Sequence, residues 1–155
     1  TVYRALFEEI DNVERENYRN EAARDAPILS MAPLFGNASS GAEVVSNFYR
    51  HWCSFTSACS FAEADLYRWS DGENRFTRRA IEKENSRARS KAKTKFQEEV
   101  RDLAKFLKKR DPRVATIREE ARVREEAERL RKAEEKKRKA EEFRKQKEEW
   151  KQQKE

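Results

Sequence analysis

Residues 75–113 read RFTRRAIEKENSRARSKAKTKFQEEVRDLAKFLKKRDPR. The apolar residues Ile81, Ala88, Ala92, Phe96, Val100, Leu103 and Leu107 recur in steps of three, four and seven, which is one stripe of an α-helix. No glycine interrupts the stretch, and its first proline is Pro112. The spacing predicts a helix from about 73 to 110, about 57 Å long at ~1.5 Å per residue. Opposite the stripe, Arg79, Lys83, Arg87, Lys91 and Lys95 recur every four residues as a slowly winding basic ridge. One side can dock on protein while the other carries positive charge.

Charge is uneven along the 155 residues, which sum to +6. Residues 1–72 are net −5, 73–113 net +8 and 114–155 net +3. The central segment is therefore the candidate anion-binding piece. With 43% charged residues the chain is too polar for one compact globule of its length. Nine Phe, three Trp and four Tyr allow a small core, and three Gly and three Pro leave few turns, so helices should dominate. A basic balance favours nucleic acid first and an anionic membrane surface second. No run approaches the ~18 apolar residues of a transmembrane helix, and no signal peptide is visible. Starting at Thr1 and ending in a charged run, the chain is expected to be a piece of a longer protein.

Outward from this segment, residues 1–20 form an amphipathic helix with Tyr3, Leu6, Ile10 and Val13 on one face. Residues 21–43 hold Pro27, Pro33, Gly36 and Gly41 and read as a linker or an extended segment. The cluster Ile28, Leu29, Met31, Leu34 and Phe35 argues that this segment lies on a surface of this chain or of a partner. Ser40-Gly-Ala-Glu43 and Ser70-Asp-Gly-Glu73 are capping-box patterns, each expected to start a helix. The first such helix would present Val45, Phe48, Trp52, Phe55 and Cys59 on one face. A base-stacking role for these aromatics is conceivable, but the helical spacing favours core packing. Phe48, Tyr49, Trp52, Phe55, Phe96, Leu103 and Leu107 are the expected core.

Asp111-Pro112 stops the basic helix and restarts another, Asp as N-cap and Pro at the first helical position. Beyond it, 113–155 read as a charged helical arm with i,i+4 pairs at 120–124, 125–129, 128–132, 134–138, 135–139 and 141–145. Each pair is worth roughly 0.2–0.5 kcal/mol. The apolar positions keep no clean heptad register, so a single helix is preferred to a coiled-coil strand. The expected fold is all-α and elongated: a small helical head over 44–112, with a long basic helix followed by a charged single helix.

The candidate phosphate contacts are Arg75, Arg78, Arg79, Lys83, Arg87, Arg89, Lys91, Lys93 and Lys95, with Lys108, Lys109, Arg110 and Arg113 as a second cluster at the turn. No base-reading motif accompanies them, so phosphates, across an RNA groove, are the expected target. Enzyme chemistry has no constellation to work with. His51 is the one histidine, Cys53 and Cys59 lack CxxC spacing, and no glycine-rich phosphate loop exists, so no cofactor and no metal are expected. The cysteines point to a reduced, intracellular protein.

Residues 47–55, NFYRHWCSF, carry an FYxxWxxF pattern, followed by RRAIEKENSRARSKAKTKFQEEVRDLAKFLKKRDPRV over 78–114. With the opening TVYRALFEEI, this resembles the zuotin homology region of ribosome-associated J-domain (DnaJ subfamily C) co-chaperones. Within that group it is most similar to the member acting in late maturation of the large ribosomal subunit. The resemblance implies docking on large-subunit rRNA near the nascent-chain tunnel exit, beside tunnel-exit ribosomal proteins. It further implies a J-domain that stimulates a DnaK-type chaperone, release and recycling of a nuclear export factor, and a zinc-finger maturation partner. No membrane contact is implied, and the location would be cytoplasmic, extending to the nucleus and nucleolus. A J-domain needs His-Pro-Asp, and His51 precedes Trp52, so that part lies outside this chain. Glu63 stands where close relatives carry Trp. The alternatives are a zuotin-like co-chaperone acting on nascent chains and a structural coiled-coil protein.

Overall fold

The computed structural model describes residues 2–23 and 26–152. It contains four α-helices and, among the described residues, no strand. They are α1 (Val2–Glu21), α2 (Ala42–Cys53), α3 (Arg75–Arg110) and α4 (Pro112–Gln152), with two 3-10 turns at Ala62–Ala64 and Trp69–Asp71. The protein is all-α. The chain divides into two compact units, Thr1–Val114 and Ala115–Glu155.

The core of the first unit is aromatic. Phe7 of α1 meets Phe48 edge-on at 5.1 Å and Trp52 at 4.8 Å. Phe35 meets Phe48 at 4.9 Å, and Phe55 stacks on Trp52 at 5.3 Å. Each such pair is worth about 0.5–1.5 kcal/mol beyond the area it buries. Val100, Ala104 and Leu107 of α3 are buried as well. Of the expected core, Phe48, Tyr49, Trp52, Phe55 and Leu107 are buried. Phe96 and Leu103 are half-buried. The inward row of α3 there is Val100, Ala104 and Leu107, which leaves Leu103 on the flank; Phe96 lines an open groove.

Several local expectations are corrected. α2 stops at Cys53, so Phe55 and Cys59 are not on its face but in an extended loop. The capping boxes do not form. Gly41 is the N-cap of α2 and makes no side-chain cap, while the Ser40 hydroxyl accepts from the Asn37 amide at 2.8 Å. That turn needs Gly36, whose φ of +73° is open to glycine. For α3 the N-cap is Asn74, whose side chain accepts from the Thr77 amide at 2.9 Å. Gly72, just before it, allows close approach, since a Cβ there would meet Arg78 Cγ at 2.4 Å. At the far end, Asp111 caps the restart, its Oδ1 accepting from the Arg113 amide at 3.0 Å.

The proline-bearing segment is held by its own unit. The Ala32 amide donates to Asp11 at 3.1 Å, and the Arg4 guanidinium donates to the Gly36 carbonyl.

In the second unit the described residues are helical, and α4 buries no residue. Of the i,i+4 pairs expected from sequence, Glu128–Lys132 closes at 2.6 Å and Glu135–Lys139 at 2.7 Å. Arg129 turns instead to Glu126 at 3.4 Å, and Arg138 to Glu142 at 3.8 Å.

Candidate nucleic-acid interface

α3 carries two parallel rows of polar side chains, and the loop over residues 55–67 decides which row is free. In that loop the backbone makes no helix or sheet over most of its length, so its amides and carbonyls need side-chain partners. Every fourth residue of α3 supplies one. Arg101 Nε donates to the Phe55 carbonyl at 2.7 Å. The Ser57 amide donates to Gln97 at 3.0 Å, and Lys93 Nζ donates to the Cys59 carbonyl at 3.1 Å. Arg89 forms a two-point ion pair with Asp65, its Nη2 at 2.7 Å from Oδ2. Asn85 accepts from the Leu66 and Tyr67 amides at 3.0 and 3.1 Å and donates to the Tyr67 carbonyl at 2.7 Å. The loop thus runs antiparallel to α3 and is clamped at five successive positions.

From α1, Glu14 clamps the same loop. Its carboxylate, buried, accepts from the Ser57 hydroxyl at 2.9 Å and the Ala58 amide at 2.5 Å. Burial, with Glu14 beside it, pushes the Cys59 thiol up to about 11.

Two residues before four of the five clamps, Asn85, Arg89, Lys93 and Gln97, sits a cation of the ridge, Lys83, Arg87, Lys91 and Lys95; Arg79 continues the ridge one step toward the start of α3. At ~100° per residue, the two-residue offset turns each cation about 200° away from its clamp, to the outer face. Arg79, Lys83, Arg87, Lys91 and Lys95 are all exposed. Arg87 pairs with Glu84 at 2.8 Å, and Lys95 lies 3.9 Å from Glu99. For Arg79, Lys83 and Lys91 there is no ion-pair partner among the described residues. Because both rows advance by four, they stay parallel, with a cation about every 6 Å over about 24 Å of helix.

The candidate contacts therefore separate. Arg75, Arg79, Lys83, Arg87, Lys91 and Lys95 face outward. Arg89 and Lys93 belong to the clamp. Arg78 packs over the Trp69 ring at 4.5 Å and donates to the Gly72 carbonyl at 2.8 Å, holding the turn before α3. At the other end Lys108, Lys109 and Arg110 are exposed in the last turn of α3, where cations also favour the helix dipole. Arg110 lies over the Phe106 ring at 3.7 Å. Arg113 is turned inward, donating to the Phe35 and Asn37 carbonyls at 3.1 and 2.9 Å. Asn85, Gln97, Arg101 and Glu14 escaped the sequence reading. The signal was present in α3 as a polar i+4 row beside the apolar one, but it gave no hint of what the row holds.

The arrangement is a helical scaffold that presents one line of cations on a face free of protein packing. Residues 7–115 match the zuotin-like zuotin homology domain, and the chain belongs to that family. Human DnaJ homolog subfamily C member 21 is 40% identical over 119 residues, covering 76% of this chain and 21% of the relative. J protein JJJ1 of Saccharomyces cerevisiae is 33% identical over 94 residues, covering 61% and 15%. Zuotin of Schizosaccharomyces pombe is 34% identical over 88 residues, covering 57% and 20%. The chain thus spans about a fifth of the length of these relatives. No helix among the described residues is long and apolar enough to cross a membrane.

Proposed function

We propose that this chain is the ribosome-docking region of a J-domain co-chaperone, and that it binds rRNA phosphates on the large ribosomal subunit near the tunnel exit. The observation that carries the reading is the outward row Arg79, Lys83, Arg87, Lys91 and Lys95, parallel to a row that the fold consumes. Arg75, Lys108, Lys109 and Arg110 extend it at the two ends of α3. Docking here would position a J-domain, and through it a DnaK-type chaperone, for release and recycling of a nuclear export factor in late large-subunit biogenesis. A zinc-finger maturation partner and a cytoplasmic or nuclear location belong to the same reading. Membership of the zuotin-like family supports the co-chaperone and ribosome part. The maturation stage rests on the resemblance carried jointly by the FYxxWxxF, RRAxEKEN and KKRDPRV segments. No reaction is assigned to the chain itself.

The test is co-sedimentation with precursor large, mature large and mature small subunits across a salt series. Salt-sensitive binding to the large subunit, strongest on the precursor, is the expected result. Reversing Arg79, Lys83 and Arg87 together should abolish it while the helix stays folded, because none of the three is part of the clamp. Retained binding by that variant would overturn the assignment. Equal binding to both subunits would favour the nascent-chain role of a zuotin-like factor.

A further inference from the structure

α1 presents two rows of side chains, and the one the sequence marks as apolar is left open. Phe7 and Glu14 are the residues of α1 that are buried. Leu6 and Val13 remain 37% and 50% exposed, and Ile10 half-buried. They open onto a groove of about 770 Å³ whose far wall is Cys59, Phe61 and Phe96. Phe61 holds its place from a left-handed backbone, φ 61°, which is disfavoured for any residue but glycine. The described charged residues that line this groove are of one sign. Among the described residues, Glu9, Glu14, Glu21 and Glu63 line it, and no Lys or Arg does. Glu14 is spent on the loop and Glu21 accepts from the Ser60 amide, but both bring negative charge. Lys93 reaches one lining residue, through the Cys59 carbonyl.

We propose that this groove docks a basic amphipathic helix of a partner protein. The apolar row of such a helix would meet Leu6, Ile10, Val13, Phe61 and Phe96, and its Lys and Arg flanks would meet Glu9, Glu21 and Glu63. The groove runs along α1 from Leu6 to Glu21, about 22 Å, which matches a helix of about four turns. An apolar row at helical spacing that its own fold leaves uncovered calls for a complementary row. The carboxylate rim selects the sign of the flanks and repels a nucleic acid. The protein thus sorts two partners by charge, with a polyanion on the α3 ridge and a cationic helix on α1.

The experiment titrates the full 155-residue chain with an amidated peptide of about 18 residues. It contains Leu at i, i+3/i+4 and i+7 spacing and Lys elsewhere. A counterpart has every Lys replaced by Glu. Backbone amide shifts and fluorescence anisotropy are read at low and moderate salt. The basic peptide should shift Leu6, Val13 and Phe61 and weaken with salt, and the acidic one should do neither. Glu9→Lys with Glu63→Lys should weaken binding about tenfold or more, and Val13→Asp should do the same, with the melting temperature kept. The proposal is overturned if both peptides bind alike, or if binding survives these variants. It is also overturned if the same residues shift on concentrating the chain alone, because the occupant is then a second copy. The substitutions leave the ridge intact, so ribosome co-sedimentation should be unchanged, and failure here leaves the docking reading standing.

Discussion

Tyr49 donates its phenolic hydrogen to a carboxylate oxygen of Asp111 over 2.8 Å, joining α2 to the junction between α3 and α4. The same carboxylate accepts from Arg113, whose Nη2 lies 2.7 Å away. Arg113 in turn holds the Phe35 and Asn37 carbonyls and lies over the Phe35 ring at 4.5 Å. One carboxylate therefore gathers α2, the helix junction and the proline-bearing segment.

Removing the phenol should destabilise the first unit. Tyr49→Phe leaves the buried carboxylate short of one donor and should cost about 1–2 kcal/mol in denaturant unfolding. Arg113→Ala removes the charged partner and should cost more, about 2–3 kcal/mol.

The pH dependence has a defined sign. Burial by itself would raise the Asp111 carboxyl, but hydrogen bonds from Arg113 and Tyr49 outweigh it and hold it below the usual range. A depressed carboxylate contributes stability that is complete above its unfolded pKa, ~3.9, and is lost as pH falls through the folded value. Thermal unfolding in acid should therefore show a loss below about pH 4 that is smaller in Asp111→Asn. An acid limb identical in the variant would exclude Asp111 as its source. Tyr49, raised by burial and then by its bond to Asp111, stays a neutral donor throughout this range.

Asn85 is 2% exposed and satisfies two amides and one carbonyl of the 66–67 loop. Asn85→Ala orphans all three and should cost about 2–3 kcal/mol. Hydrogen exchange at Leu66 and Tyr67 should accelerate by about tenfold or more, ahead of the α2 amides. Uniform acceleration across the unit would mean the loop has no separate opening.

Lys91 and Lys93 should behave oppositely although two residues apart. Lys91→Ala should leave the melting temperature unchanged and reduce the salt slope of RNA binding by about one. Lys93→Ala loses the bond to the Cys59 carbonyl and should cost about 1 kcal/mol of stability. Calorimetry and a salt titration on both variants decide it; matching effects would mean the two rows are not distinct.

Thiol chemistry should distinguish the two free cysteines. With its pKa pushed up to about 11 and its side chain buried, Cys59 is roughly 0.1% thiolate at pH 8. Alkylation of the folded chain should modify Cys53 first and Cys59 on unfolding, as mass spectrometry would read. Early labelling of Cys59 would show that the 57–59 loop opens without global unfolding.

The sequence by itself determined the helices and the break between α3 and α4. The apolar periodicity of α3 and the Asp111-Pro112 stop are local properties, readable without a partner. Its charge count also located the basic segment. The tertiary structure alone decided which cations remain available. Arg87 and Arg89, or Lys91 and Lys93, are the same residues in near-identical surroundings along the chain. They differ because the 55–67 loop lies against one row and offers it carbonyls, amides and the Asp65 carboxylate. Likewise, two capping boxes of correct spacing were passed over, because Asn37 took the Ser40 hydroxyl and Asn74 lay nearer the first turn of α3. The apolar row of α1 stayed open because burial went instead to Phe7, which fits the Phe48 and Trp52 rings, and to Glu14, which the loop amides require. Helical period is set within one turn, whereas the choice of buried face depends on residues more than forty positions away in the chain.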